Sequence, residues 1–282
     1  MKYKNIFYFL IFLVFLYFIY YMFLLYIIDD YKNYNDYNRT VKKYKNKISP
    51  YSIEEILVED KINKNILQIY FQGKEKVPEY IFKNIEERNE KLGWKYHFYD
   101  EEMIKDYLLN NYGQEYVDKL NSFEKYAHKA DLFRICWLYQ NGGIYLDIDT
   151  ELLIDCDKLL KDRLDNFTAA HNVVRKNNYQ TFLANIFGLK HDTFLNGLIV
   201  VNKGNKILKK CIERIMTVTQ EDLRKNYAEI LFLIQDTVGK NFKYSWEERY
   251  NTFLDDRSKF YNKKGEHIAN EKYKNYKEGI FK

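Results

Sequence analysis

From Ile6 to Ile28 the chain runs 23 residues without a charged side chain. As a helix rising about 1.5 Å per residue, that stretch reaches about 35 Å, enough to cross a hydrocarbon layer about 30 Å thick. Such a segment either leaves the mature protein or holds it to a bilayer. Cleavage of a signal peptide needs small residues near the cut, and no Ala, Gly or Ser precedes Ser49. The expectation is an uncleaved single-pass anchor, with a membrane as partner through residues 6–28. Lys2 and Lys4 stand before the span, while Lys32, Arg39, Lys42 and Lys43 follow it, so flanking charge does not choose the orientation. A type II arrangement in the Golgi, the endoplasmic reticulum or a host-derived membrane is expected.

The anchor divides the rest. Residues 1–28 form the short tip and span, and the polar stretch 29–60, rich in Lys, Asn and Tyr, reads as a stem or linker. Residues 61–282 are long enough to bury one sizeable core. Lys plus Arg number 45 against 40 Asp plus Glu, and the two signs are interspersed, so no basic face for nucleic acid is expected. Cys136, Cys156 and Cys211 are too scattered for a disulfide framework or a C-x-x-C site.

Periodicity predicts an α/β domain. Ile66 to Phe71 is a short apolar run read as a strand; Gly73 and Pro78 separate it from a helical stretch, Tyr80 to Leu92. Trp94, Tyr96 and Phe98 then alternate with more polar residues, as a second strand would. A β-α-β start implies parallel pairing. Helical spacing resumes from Phe123, with Tyr126, Ala127, Ala130, Phe133, Trp137 and Leu138 on one stripe. Asn141-Gly142-Gly143 stops it, glycine supplying a left-handed cap. Ile144, Leu146 and Ile148 next alternate with Tyr145, Asp147 and Asp149 as a strand. Leu195 to Val201 predicts a buried strand, and Asn205 to Met216 a helix.

Asp147 and Asp149 are two residues apart, so on an extended segment their carboxylates share a side, about 7 Å apart before any bend. Such a pair can share a hard divalent cation together with phosphate oxygens. Asp131 and Arg134 fall on one face of the preceding helix at i, i+3, where a carboxylate and a guanidinium fork can hold hydroxyls and phosphate.

The run Ala127-His128-Lys129-Ala130-Asp131-Leu132-Phe133-Arg134, then Leu138-Tyr139, then Gly142-Gly143-Ile144-Tyr145-Leu146-Asp147-Ile148-Asp149 resembles the signature of glycosyltransferases with a D-x-D sugar-binding region. These form glycosyltransferase family 32, with its initiation-type mannosyltransferases and capsular sugar transferases. Ile66-Leu67-Gln68-Ile69-Tyr70-Phe71 with Gly73 is similar to that family's first strand, although Leu67 stands where His is usual and Tyr70 where Trp is usual. The resemblance implies a GT-A type, Rossmann-like nucleotide-sugar-binding domain. It further implies Mn²⁺ or Mg²⁺, a UDP- or GDP-sugar donor of hexose type, transfer with retention, and a carbohydrate, lipid or protein acceptor.

By that resemblance Asp131, Arg134, Asp147 and Asp149 are the catalytic set. Gln68, Ile69, Tyr70, Asp131, Arg134, Asp147 and Asn196 would bind the donor, Tyr70 by stacking on a base. Asp149 would ligate the metal directly and Asp147 would assist it, with His267 as a further metal or diphosphate contact. Asn196-Gly197-Leu198-Ile199-Val200-Val201 looks like the family's asparagine-bearing strand, and Thr237-Val238-Gly239 its T-G-P turn without the proline.

Two other readings stay open. Asp147-Ile148-Asp149-Thr150-Glu151-Leu152 resembles the D-x-D-x-T/V-L motif of haloacid-dehalogenase-type phosphatases, but Glu151 occupies the Thr or Val position and two strands precede it. A non-catalytic, membrane-tethered sugar-binding protein would keep the same fold, yet no member of the carboxylate and arginine set is missing.

Overall fold

The structure is a computed structural model, and it describes residues 2–47, 49–163, 165, 167–173, 192–239, 244–250, 258–271, 276–277 and 280–281. Two compact units emerge, Met1–Lys45 and Asn46–Lys282.

The first unit is one helix, α1 (Lys2–Tyr44). It runs through the expected span and on through the first half of the expected stem, because no Gly or Pro interrupts the chain before Pro50. Among the described residues no helix is long and apolar enough to cross a membrane. Side chains at 6, 7, 9, 22, 23 and 25–28 of the expected span lie outside that set. Those described between Leu10 and Phe18 are all exposed.

The second unit opens with chain expected to be linker but fastened to the domain. Tyr139 donates its hydroxyl to Glu54 O (3.0 Å) and accepts from Ile56 N (3.1 Å), and Glu59 N donates to Lys203 O (3.2 Å).

The β-α-β start is as periodicity predicts. β1 (Asn65–Ile69), α2 (Glu79–Asn89) and β2 (Lys95–Tyr99) lead to a parallel pair in which Ile66 faces Tyr96. β2 is covered on both faces: Phe98 packs edge-on against Phe82 of α2, while His97 and Tyr99 pack on Trp137 and Phe133. After α3 (Glu101–Tyr112) and α4 (Gln114–Ser122) comes α5 (Tyr126–Asn141). Sequence spacing predicts one apolar stripe on α5, yet ten consecutive or near-consecutive residues from His128 to Tyr139 are buried. A helix buried all round is central rather than amphipathic. It packs on β1 and β3.

Gly142 (φ 63°) and Gly143 (φ 116°) both carry positive φ, though Gly142, with ψ 177°, lacks the left-handed conformation of the expected cap. Their role is close approach. A Cβ on Gly143 would meet Asn65 O at 2.3 Å, and one on Gly142 would meet Lys203 N at 2.6 Å.

β3 (Gly143–Leu146) pairs parallel with β1 and antiparallel with β6 (Asp192–Val201). Nine of the described strands form a mixed sheet in the order β2-β1-β3-β6-β5-β7-β8-β9-β4, with β4 (Glu151–Leu152), β5 (Phe167–Val173), β7 (Trp246–Tyr250), β8 (Ser258–Asn262) and β9 (His267–Asn270) completing it. α6 (Cys156–Lys161) follows β4. Ile66, Ile144, Leu146, Leu198 and Val200 share one sheet face and one core cluster with Ile85 of α2, each full burial worth about 1.5–3 kcal/mol. α7 (Lys206–Ile215) starts where expected, Asn205 capping it by accepting from Ile207 N at 2.9 Å. α8 (Gln220–Lys225) and α9 (Glu229–Val238) follow. The three cysteines are buried and free.

Candidate functional site

β1 and β3 run parallel and end side by side, so residues just past their carboxyl ends meet, the position where open α/β sheets bind ligands. Ile69 ends β1 and Tyr70 follows it; Asp147, Ile148 and Asp149 follow β3. All five line a cavity of about 610 Å³. The aspartates do not stand on an extended strand as their alternation predicts. β3 stops at Leu146, and Thr150 N donates to Asp147 O (2.9 Å), closing a turn over the D-x-D segment. Asp147 N still donates to Gly197 O of β6 (2.9 Å). Gln68 holds the turn from below: its Nε2 donates to Asp147 O (3.1 Å) and its Oε1 accepts from the Tyr96 hydroxyl (2.9 Å).

Arg134 sits at the centre of the floor, buried. Nε donates to Ala130 O (3.2 Å), Nη1 to Asn196 O (2.7 Å) and Asp147 Oδ1 (3.2 Å), and Nη2 pairs with Asp131 Oδ1 (3.0 Å). Its guanidinium lies over the Tyr145 ring, 4.4 Å from the centroid. Tyr145 in turn donates its hydroxyl to Asp147 Oδ1. Asn196 Nδ2 donates to Asp131 Oδ1 (2.6 Å). Five side chains from α5, β3, the turn after β3 and β6 thus form one network.

Its electrostatics follow from burial. Burial pushes the Asp131 carboxyl up, against the opposing pull of Arg134 and His128. Burial pulls Arg134 down, but the Tyr145 phenol and the carboxylates of Asp131 and Asp147 outweigh it and leave its pKa raised. Burial also raises the phenols of Tyr145 and Tyr70.

The structure brings Asp131, Arg134, Asp147, Asp149, Ile69, Tyr70 and Asn196 to one cavity. It does not bring Gln68 to the cavity lining, where it acts as a strut instead. Nor does it bring His267 there. β9 pairs antiparallel with β4, Glu151 opposite Asn270 and Leu152 opposite Ala269, so His267 lies farther along the strand, away from Asp149. Its Nε2 is within bonding distance of Ala269 O (3.1 Å) and Asn270 Oδ1 (3.0 Å). Thr237 bonds Arg214 (2.8 Å) on α7, outside the cavity.

Three residues escape sequence reasoning. Gly197 comes so close that a Cβ would sit 2.6 Å from Asp147 Oδ2. Tyr126 and Tyr227 line the cavity and are 46% and 62% exposed; Tyr126 stacks on Phe71 with centroids 4.9 Å apart. Among 28 tyrosines no spacing singles them out.

The donor set fits a hard divalent cation. Asp147 and Asp149 offer carboxylate oxygens to the same cavity, and among the described residues no group of three or more His, Cys, Asp or Glu could hold a metal. Mg²⁺-type ions are commonly held by one or two carboxylates and completed by substrate phosphates and water. Asp147 Oδ1 is already bonded to Tyr145 and Arg134, which leaves its Oδ2 to turn toward a ligand.

Fold and site together define an α/β domain with a mixed sheet and a polar-floored cavity. Comparison with known proteins sharpens this. The family described as "Glycosyltransferase sugar-binding region containing DXD motif" matches residues 74–165, the segment carrying Asp131, Arg134, Asp147 and Asp149. An uncharacterized glycosyltransferase of Acanthamoeba polyphaga mimivirus is 35% identical over 126 residues, 44% of this chain and 48% of the relative. The match thus spans about half the relative's length. Among solved structures, the PaToxG glycosyltransferase superposes with a TM-score of 0.39 at 18% identity, over 73% of this chain and 79% of that one, too loosely to bear on the fold. The chain carries a glycosyltransferase-type sugar-binding region with the D-x-D motif.

Proposed function

We propose that the protein is a metal-dependent, retaining glycosyltransferase that moves a hexose-type sugar from a UDP- or GDP-sugar to a glycan, lipid or protein acceptor, and that residues 6–28 of α1 tether it to a membrane as a single-pass protein. One observation carries the proposal: Asp131, Arg134, Asp147 and Asn196 form one hydrogen-bonded floor in the cavity that Asp149 also lines. A GT-A type arrangement accords with donor binding at the carboxyl ends of β1 and β3.

In this reading Asp149 would hold Mn²⁺ or Mg²⁺ with support from Asp147, whose Oδ2 would receive a sugar or ribose hydroxyl. When bound, the ion supplies charge neutralisation to the departing diphosphate. Asp131 and Asn196 orient the sugar's hydroxyls, and Arg134 locks both aspartates in place rather than reaching outward as the spacing suggests. Tyr70, buried beside the cavity, offers its ring to the base. The exposed apolar side chains of α1 support the tether, since water does not favour so large an apolar surface.

The test is a screen of UDP- and GDP-sugars for Mn²⁺-dependent release of nucleoside diphosphate by the full chain in detergent. A chelator should abolish turnover. Asp149→Asn should fold and lose at least about a thousandfold in rate, the size expected when several kcal/mol of transition-state stabilisation disappear. Chelator-resistant turnover, or a normal Asp149→Asn variant, would remove the metal from the mechanism.

A further inference from the structure

Tyr227 occupies the turn between α8 and α9, and three bonds immobilise that turn. Asn226 Oδ1 accepts from Ala228 N (3.1 Å), Asn226 O accepts from Glu229 N (3.1 Å), and Asn226 Nδ2 donates to Glu229 Oε2 (2.9 Å). A fourth bond comes from the site helix: His128 of α5 stands with Nε2 3.0 Å from Tyr227 O. A carbonyl oxygen only accepts, so Nε2 carries the proton there. The imidazole also packs on the Tyr227 ring, centroids 4.7 Å apart.

This attachment has a cost. With Nε2 committed to the carbonyl, Nδ1 is buried without a hydrogen-bond partner among the described residues, and an unsatisfied buried atom in a native structure needs a reason. Helix α5 carries Asp131 and Arg134 one and two turns further on. His128 therefore ties the cavity wall holding Tyr227 directly to the cavity floor. The ring it positions is 62% exposed yet lines the cavity. Burial raises the Tyr227 phenol, Asp131 and Asp147 raise it further and Arg134 opposes them, so the hydroxyl lies in the field of the floor network. An exposed aromatic held in a fixed pose by a buried group presents a ring face and one hydroxyl to whatever enters. A pyranose matches that surface, with C–H faces for a ring and hydroxyls for a phenol.

Resting on the glycosyltransferase reading above, we propose that Tyr227 contacts the transferred sugar and reads one of its hydroxyls, making it a specificity-determining residue, and that His128 is its positioning residue. No bond is made or broken by either side chain. Their effect is to favour donors whose hydroxyl meets the phenol.

The test uses the full chain with its best hydrolysed donor from UDP-glucose, UDP-galactose, UDP-N-acetylglucosamine and GDP-mannose, and the monodeoxy analogues of that donor's sugar. Tyr227→Phe should lower kcat/KM for the parent donor about tenfold, as when one hydrogen bond to substrate is lost. For one deoxy analogue it should cause no further loss, because that analogue lacks the partner hydroxyl. His128→Ala should reproduce this altered pattern. His128→Gln, which returns an amide N–H near the Nε2 position, should restore it, an outcome a general packing role does not produce. A Tyr227→Phe variant within twofold of wild type on every donor, or an equal loss on all analogues, overturns the proposal while the glycosyltransferase reading stands. Failure of the wild type to hydrolyse any donor overturns both. His128→Ala unfolding, with His128→Gln folded but lacking the wild-type pattern, overturns the positioning role.

Discussion

Arg134→Ala tests the floor network most directly. In the native protein the Asp131 side chain is 11% exposed and Arg134 5%, so solvent screens this pair little. Removing one partner of a buried pair costs about 3–5 kcal/mol, because the remaining charge is uncompensated. For a domain of this size each kcal/mol moves Tm by about 2–4 °C, so Tm should fall by roughly 6–20 °C at neutral pH. The loss should depend on pH. Burial already holds the Asp131 carboxyl above its ordinary value, and Arg134 is the largest influence opposing that rise. Without Arg134 it rises further. An aspartate whose folded pKa exceeds its unfolded pKa destabilises fully above the folded value and is relieved as pH falls toward about 4. The Tm gap between wild type and Arg134→Ala should therefore narrow from pH 7.5 to pH 5, measured by scanning calorimetry in detergent. Asp131→Leu combined with Arg134→Met should recover most of the stability but none of the donor turnover. A gap that does not vary with pH, or an Arg134→Ala variant as stable as wild type, would refute the buried-pair account.

Gly197→Ala should displace the Asp147 carboxylate, which would lie 2.6 Å from the new Cβ; donor kcat/KM should drop about ten- to hundredfold in a folded protein, as for misplacement by about 1 Å, and unchanged turnover would show that Asp147 position does not matter. Tyr145→Phe removes the hydroxyl that donates to Asp147, a bond to a charged but 42% exposed side chain, so the loss should be about 1.5 kcal/mol, the low end for such bonds, with a raised donor KM; calorimetry and steady-state kinetics measure the two. Carbonate extraction should leave the full chain in the membrane pellet, and release into the supernatant would refute the tether through residues 6–28.

Local periodicity made the left half of the sheet legible. Strand, helix and strand from Ile66 to Tyr99 need only near neighbours, and so does the sequence α5, Gly142-Gly143, β3. The right half was not legible because its order is non-local: β7 lies between β5 and β8, and β4 reaches the far edge by pairing with β9. No window of ten or twenty residues contains that information. The length of α1 was missed for the opposite reason. A polar composition suggested a stem after Asp29, but polarity does not end a helix, and no breaker does so before Pro50.

Within the site, spacing marked Asp147 with Asp149 and Asp131 with Arg134 as pairs that share a side or a face, and the family resemblance, not the spacing, gathered them into one site. Their roles depend on partners that spacing does not reveal. Arg134 looked like a ligand-binding fork, yet Ala130, Asn196, Asp147 and Asp131 occupy its donors. That occupation changes what the floor can do: two carboxylates held by one cation cannot swing toward a cation of their own without breaking the network. Asp147 keeps one oxygen fixed by Tyr145 and Arg134 and has only the other to turn toward a ligand. The position of Asp147 in the D-x-D segment thus rests on Arg134 of the preceding helix and Tyr145 of the strand, not on the motif alone.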